Sequence, residues 1–184
     1  MFHKKTKGDR FMNKKIMYIV TILSTAVLLF LDQIVKYLAV LHLKGQAAIP
    51  IIKNVFELQY LENQGAAFGI MQGKKTLFVI GTLIFLVIVV ILYHNIPLTK
   101  RFTPIRIVAV LIVAGAIGNM IDRVVHQYVI DFFYFKLINF PIFNVADIYV
   151  VVACILFILL MLFYYKEEEL GQIFPFMKSK KAEE

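Results

Sequence analysis

Four aspartates stand where apolar surroundings should not tolerate them. Asp32, Asp122 and Asp147 lie inside or at the ends of long apolar runs, and Asp131 is flanked by apolar neighbours in Val129-Ile130-Asp131-Phe132-Phe133. An isolated charge in hydrocarbon costs at least about 2.5–3.5 kcal/mol, so a carboxylate in such a place is either paired or used. Lys36 follows Asp32 by four residues, and Asn119, Asp122 and Arg123 occupy positions i, i+3 and i+4, so each group shares a helix face. Asn144 and Asp147 repeat the i, i+3 spacing. Asp32 with Lys36 and Asp122 with Arg123 read equally well as structural helix-end pairs or as parts of a site. Asp131 and Asp147 have no cation at helical spacing. Burial disfavours the charged form of such groups, and two close together do not easily both ionise, so one proton is shared. That is what an aspartate peptidase needs: the charged carboxylate takes a proton from water while the protonated one polarises the scissile carbonyl.

Other chemistries find little support. His3, His42, His94 and His126 lack metal-ligand spacing, and His94 is expected on the opposite membrane side from His42 and His126. Ser24 and Thr25 lie in mid-run with no His or Lys at helical spacing, which suits helix packing better than a nucleophile. Cys154, the single cysteine, reads as core filling and allows no internal disulfide. No glycine-rich phosphate loop is present, and neither a metal nor an organic cofactor is expected.

The elements that must position these residues follow from hydropathy. Of 184 residues, 60% are hydrophobic, and the mean hydropathy is +0.78, beyond what a soluble domain of this size carries. Crossing a hydrocarbon core of about 30 Å takes about 20 helical residues. Four runs qualify: 16–41, 76–93, 105–121 and 142–165. The fold expected is an all-α membrane protein, a single membrane domain over 1–184 with four transmembrane helices and a small extracytoplasmic β-rich segment. The first run is too long for a signal-peptide core and no small-residue cleavage site closes it, so it reads as a retained helix. The third run holds Gly115, Gly118, Ala109, Ala114 and Ala116, small residues that let helices approach closely, and is expected to be the most enclosed.

The formal net charge is +8, but the basic residues cluster at segment ends instead of forming the aromatic-interleaved stripe of a nucleic-acid binder. Lys4, Lys5, Lys7, Arg10, Lys14 and Lys15 precede the first span, Lys100, Arg101 and Arg106 lie between the second and third, and Lys166, Lys178, Lys180 and Lys181 follow the fourth, 13 of the 20 basic residues on one side. The positive-inside rule then makes 1–15 and the tail 166–184 cytoplasmic, and 42–75 and 122–141 extracytoplasmic. In that frame Asp32 and Asp122 stand about 24–25 Å above the inner surface and Asp147 about 22 Å, so three helices bring a carboxylate to one level near the outer face. Val55 to Tyr60 alternates as a strand does, and Asn63-Gln64-Gly65 is a turn signal. The charged tail from Lys166 is expected to fray, with Ile173-Phe174-Pro175-Phe176 available to touch the interface.

A small proton-coupled transporter is the alternative, because carboxylates inside a membrane also mark ion paths. No acid or base continues such a path through the inner halves of the spans. A scaffold protein would not need uncompensated carboxylates at matching depth.

The chain resembles the bacterial lipoprotein signal peptidases, or signal peptidase II, in an ordered series of motifs: Asp32-Gln33-Ile34-Val35-Lys36; Asn63-Gln64-Gly65-Ala66-Ala67-Phe68-Gly69-Ile70; Gly115 through Arg123; Val129-Ile130-Asp131-Phe132; and Pro141 through Asp147. The resemblance implies a catalytic pair at Asp131 and Asp147, with Asn63, Gly65, Asn119, Asp122, Arg123, Asn144 and Ala146 shaping the site and Asp32 and Lys36 supporting it. Spacing alone does not choose Asp131 over Asp122 as the partner of Asp147. The resemblance further implies a cell-membrane enzyme whose substrate is a prolipoprotein carrying a diacylglyceryl-modified cysteine, cut just before that cysteine, with membrane lipids around it and no obligate protein partner. Departures from the family pattern are Glu62, a short interval between Asp131 and Asp147, and residues ahead of Met12, where Met12-Asn13-Lys14-Lys15 reads like a second start.

Overall fold

The computed structural model describes residues 13–65 and 73–174. The basic residues from Lys4 to Arg10, the Ala66 to Ile70 part of the loop motif, Pro175, Phe176 and Lys178 to Lys181 lie outside them. Among the described residues four helical stretches are long and apolar enough to cross a membrane, Lys14–Leu43, Lys75–Asn95, Lys100–His126 and Val145–Tyr164, built on α1 (Lys14–Leu43), α2 (Lys75–Asn95), α3 (Thr103–His126) and α4 (Val145–Leu159). A 3-10 turn at Lys100–Phe102 leads into α3, and a π-helical turn at Leu160–Tyr164 prolongs α4.

Local chemistry sets the ends. Asn13 caps α1 by accepting from the Lys15 amide (3.0 Å), and a proline in the first turn starts α3, where its missing N–H costs nothing. Gln127 closes α3 in the left-handed region (φ 76°), which turns the chain into the sheet. α3 runs past the expected Ile121, so Asp122 and Arg123 are helical. α4 begins at Val145, three residues later than the hydropathy suggests, because Phe143 is held extended by pairing with Phe133 and the helix starts only after Asn144.

At the end of the bundle where α1 and α3 finish, β1 (Ile49–Ile52), β2 (Phe56–Asn63) and β3 (Val129–Tyr134) form an antiparallel sheet in the order β1-β2-β3. The strand legible at Val55 to Tyr60 thus extends to Asn63. β3 leans on the end of α1: Ile130 and Phe132 pack with Ala39 and Leu43 in one apolar cluster. A second cluster closes the far end of the bundle, where Met17, Tyr93, Phe102, Ile105 and Ala153 meet Leu170 and Ile173. The last two belong to α5 (Glu167–Ile173), so the first part of the tail folds against the bundle instead of fraying. Glu167 and Glu168 face out, Glu169 is half-buried against Arg101, and Leu170 and Ile173 face in.

α3 is the most enclosed span, with 28% of its apolar stretch buried against 6, 6 and 11% for the others. Cys154 does not fill the core. Its neighbour Ala153 is fully buried while Cys154 is exposed, one position round the helix on the outward face.

Candidate active site

Asp32, on α1, is fully buried and meets α3 and α4 at once. Lys36, one turn further along, places its Nζ 3.0 Å from Asp32 Oδ2 and 2.8 Å from Asp122 Oδ2, and all three residues are 0–1% exposed. One ammonium thus neutralises carboxylates from two helices, and its third bond goes to Asn119 Oδ1 at 3.0 Å. Asp122 does not pair with Arg123, one of the two readings that their spacing left open. Adjacent side chains point apart on a helix, and Lys36 reaches Asp122 from across the interface. Gln33 joins this group by donating to Asp32 Oδ2 and Asp122 Oδ1, each at 3.1 Å.

The buried ion cluster also holds the two elements that carry Asp131 and Asp147. Asp32 Oδ1 accepts from the Ala146 amide (2.9 Å) in the first turn of α4, and Asp122 Oδ2 accepts from the Ile130 amide (3.2 Å) beside Asp131 in β3. α3 must come close for this. A Cβ on Gly118 would sit 2.6 Å from Asp32 Oδ2, and one on Gly115 would sit 2.5 Å from the Ala146 carbonyl oxygen, so both positions exclude side chains.

Asn144 is the N-cap of α4 and Asp147 its third residue, and together they form a capping box. The Asp147 amide donates to Asn144 Oδ1 (3.0 Å) while Asp147 Oδ2 accepts from the Asn144 amide (3.1 Å). Helix capping therefore fixes the rotamer of Asp147. Its other oxygen accepts from Asn119 Nδ2 (2.8 Å). Asp131, 2% exposed, accepts from Asn144 Nδ2 at Oδ1 (2.7 Å) and from Asn63 Nδ2 at Oδ2 (2.8 Å). Asn63 is set in turn by the Gly65 amide, which donates to its Oδ1 (2.9 Å). Both carboxylates thus receive hydrogen bonds from neutral amides, and Lys36 is spent on Asp32 and Asp122. Burial, reinforced by the charge of Asp147, pushes the Asp131 pKa up to about 7, against the pull of the Asn63 and Asn144 amides.

Asp131 and Asp147 open onto a cavity of about 650 Å³ whose remaining wall includes Asn119, Arg123, Phe140 and Val151. Arg123 donates to the carbonyls of Asn119 and Gly65 (3.3 Å each) and lies over the Phe78 ring. Glu62 points away from this group and pairs with Lys44 (2.7 Å) and the Tyr60 hydroxyl (3.1 Å).

All eleven residues singled out from the sequence join one hydrogen-bonded cluster. Gln33 belongs there too and was not singled out; a polar side chain beside Asp32 in an apolar span was the available signal. Phe140 and Phe143, which also line the cavity, gave none, since aromatic residues are common throughout this chain.

A family model described as signal peptidase (SPase) II matches residues 24–163. Curated relatives include lipoprotein signal peptidases of Clostridium novyi (strain NT), 44% identical over 131 residues that cover 70% of this chain and 87% of the relative, and of Halothermothrix orenii, 39% identical over 132 residues that cover 72% and 88%. A bacterial membrane enzyme solved by the in meso method at 1.9 Å superposes with a TM-score of 0.67 at 32% identity, covering 79% of this chain and 94% of that one.

Proposed function

Since the chain belongs to the signal peptidase II family, a multi-pass membrane peptidase acting on lipoproteins, we propose that it is an aspartic endopeptidase whose catalytic residues are Asp131 and Asp147. The observation that carries this reading is the contrast between the two aspartate pairs. Asp32 and Asp122 share the buried ammonium of Lys36, whereas Asp131 and Asp147 meet only amides and line the cavity. The first pair serves as structure and the second is available for proton transfer.

In this reading the two carboxylates share one proton. Water attacks the scissile carbonyl carbon, the ionised carboxylate takes the water proton, and the protonated one gives its proton to the carbonyl oxygen. Collapse of the resulting gem-diol breaks the C–N bond, and a proton passes to the leaving amine, which restores the pair. Asn63, Asn119 and Asn144 orient the two carboxylates, and Gly65 and Ala146 act through their backbone N–H groups. Arg123 lies beside the cavity, ready to meet substrate carbonyl oxygens. The substrate is read as a prolipoprotein with a diacylglyceryl-modified cysteine, cut just before it. A single membrane domain with both termini cytoplasmic and the site near the outer face is supported by the distribution of lysine and arginine. The transporter alternative gains nothing from the family membership.

The test is to incubate purified protein with a lipidated precursor and follow release of the signal peptide. Asp131→Asn and Asp147→Asn keep size while removing the titratable oxygen, and each is expected to abolish cleavage in protein that still accumulates in membranes. Near-normal turnover by either variant would remove that residue from the mechanism.

A further inference from the structure

The end of the bundle away from the aspartates carries a second concavity. Residues of α1 and α3 line a groove of about 550 Å³ with aliphatic walls, among them Val20, Val27, Ile107 and Val110. Along α1 the groove extends from Met17 to Leu28, about 16 Å at 1.5 Å per residue. One leaflet contributes about half of a 30 Å hydrocarbon core, so the groove matches the reach of a single acyl chain.

Arg106 stands at its mouth, one turn into α3. Its guanidinium is aimed by neutral groups: Nε lies 3.0 Å from Met17 Sδ, and Nη2 donates to the carbonyls of Ile96 (3.1 Å) and Pro97 (2.5 Å). Ion pairs among the described residues engage Lys36, Lys44, Arg101 and Lys136, and Arg106 enters none. Neither α1 nor α3 has an acid in its first turn. Glu169, which α5 brings to this end, is bound by Arg101 at 2.9 and 3.0 Å. A fixed cation beside an apolar channel, with no carboxylate among the described residues paired to it, calls for an anion that brings an apolar tail.

We propose that this groove binds one anionic glycerophospholipid from the leaflet farther from the aspartates, with an acyl chain between α1 and α3 and the phosphate on Arg106. The proposal is independent of the peptidase chemistry at the other end. Its test is native mass spectrometry of the full chain in mild detergent, titrated with phosphatidylglycerol or with phosphatidylcholine of the same acyl composition. The unmodified protein should retain phosphatidylglycerol several-fold better, and Arg106→Gln should remove that preference. Because Arg106 also ties down the Ile96 and Pro97 carbonyls, a second variant is needed. Val110→Phe fills the groove, leaves the cation in place and should lower retention of phosphatidylglycerol. Equal retention of the two lipids by the unmodified protein overturns the proposal, as does either variant holding phosphatidylglycerol as well as the unmodified protein does.

Discussion

Asp131 illustrates how a buried carboxyl can stay protonated near neutrality while both its oxygens accept hydrogen bonds. The amides of Asn63 and Asn144 favour its charged form, and burial and the nearby Asp147 outweigh them, which leaves a pKa of about 7. That value lies above the ordinary 3.8, so the folded chain holds this proton more tightly than the unfolded one. The resulting stabilisation is fully present below pH 3.8 and is lost as pH rises through 7. Two outcomes follow, measured from about pH 5 to about pH 9. Cleavage should decline on the alkaline side as the pair loses its shared proton. The thermal midpoint of the purified protein should fall over the same range, and Asp131→Asn, which cannot titrate, should flatten that fall. A midpoint slope unchanged by the substitution would mean that another group governs the limb. Spacing identified Lys36 as a partner for Asp32, but its bond to Asp122 spans two helices, and i, i+4 arithmetic sees only one.

The closest packing between elements lies where α3 passes α4 and α1, and it depends on two missing side chains. With a Cβ on Gly118 only 2.6 Å from Asp32 Oδ2, Gly118→Ala must displace the carboxylate that accepts from the Ala146 amide. The start of α4, and Asp147 with it, would shift. The variant should reach the membrane, melt lower and cleave at least about tenfold more slowly, because small misplacements of reacting groups carry large rate penalties. Thermal scans and turnover on the same preparation check this, and a full-rate enzyme with a lowered melting point would separate packing from positioning. The closeness of α3 was legible beforehand, since small residues in an apolar run have few other purposes. The start of α4 was not. Hydropathy rises from Ile142, but Phe143 is taken by β3, and a pairing between distant parts of the chain leaves no periodic mark. The expected fraying of the tail fails for a similar reason: α5 is too short and charged to announce itself, and Ile173, legible only as an interfacial contact, joins Leu170 as an apolar anchor when the bundle end is there to receive them.

Across the whole molecule, the site occupies one end of the bundle beside the sheet, with its cavity walled by α3, α4 and the segment after β3. On the proposed reading, a substrate anchored by its acyl chains arrives already confined to the layer of the site, and burying those chains would align the scissile bond. Unlipidated precursor should therefore be cut very slowly compared with the same peptide carrying its diacylglyceryl group, in matched detergent. Equal rates would mean that the bundle reads only the peptide. The broad plan, four spans and a small sheet, was legible because length and hydropathy are properties of each segment alone. Asn63 and Gly65 entered only through family resemblance, since nothing local says that a turn asparagine will face an aspartate 68 residues on. One feature of the sheet separates two parts of this chain that would otherwise change together. Phe143 exchanges backbone hydrogen bonds with Phe133 (2.9 and 3.0 Å), which clamps the neck of the excursion from Phe135 to Ile142 just beyond Asp131 and just before Asn144. The spacing of the two aspartates is set at that neck and not by the excursion, whose Leu137 and Ile138 stand exposed at 69% and 68%. On the proposed reading, the excursion can be lengthened, shortened or repainted while Asp131 and Asp147 keep their register, which would let substrate repertoire and catalytic geometry evolve at different rates.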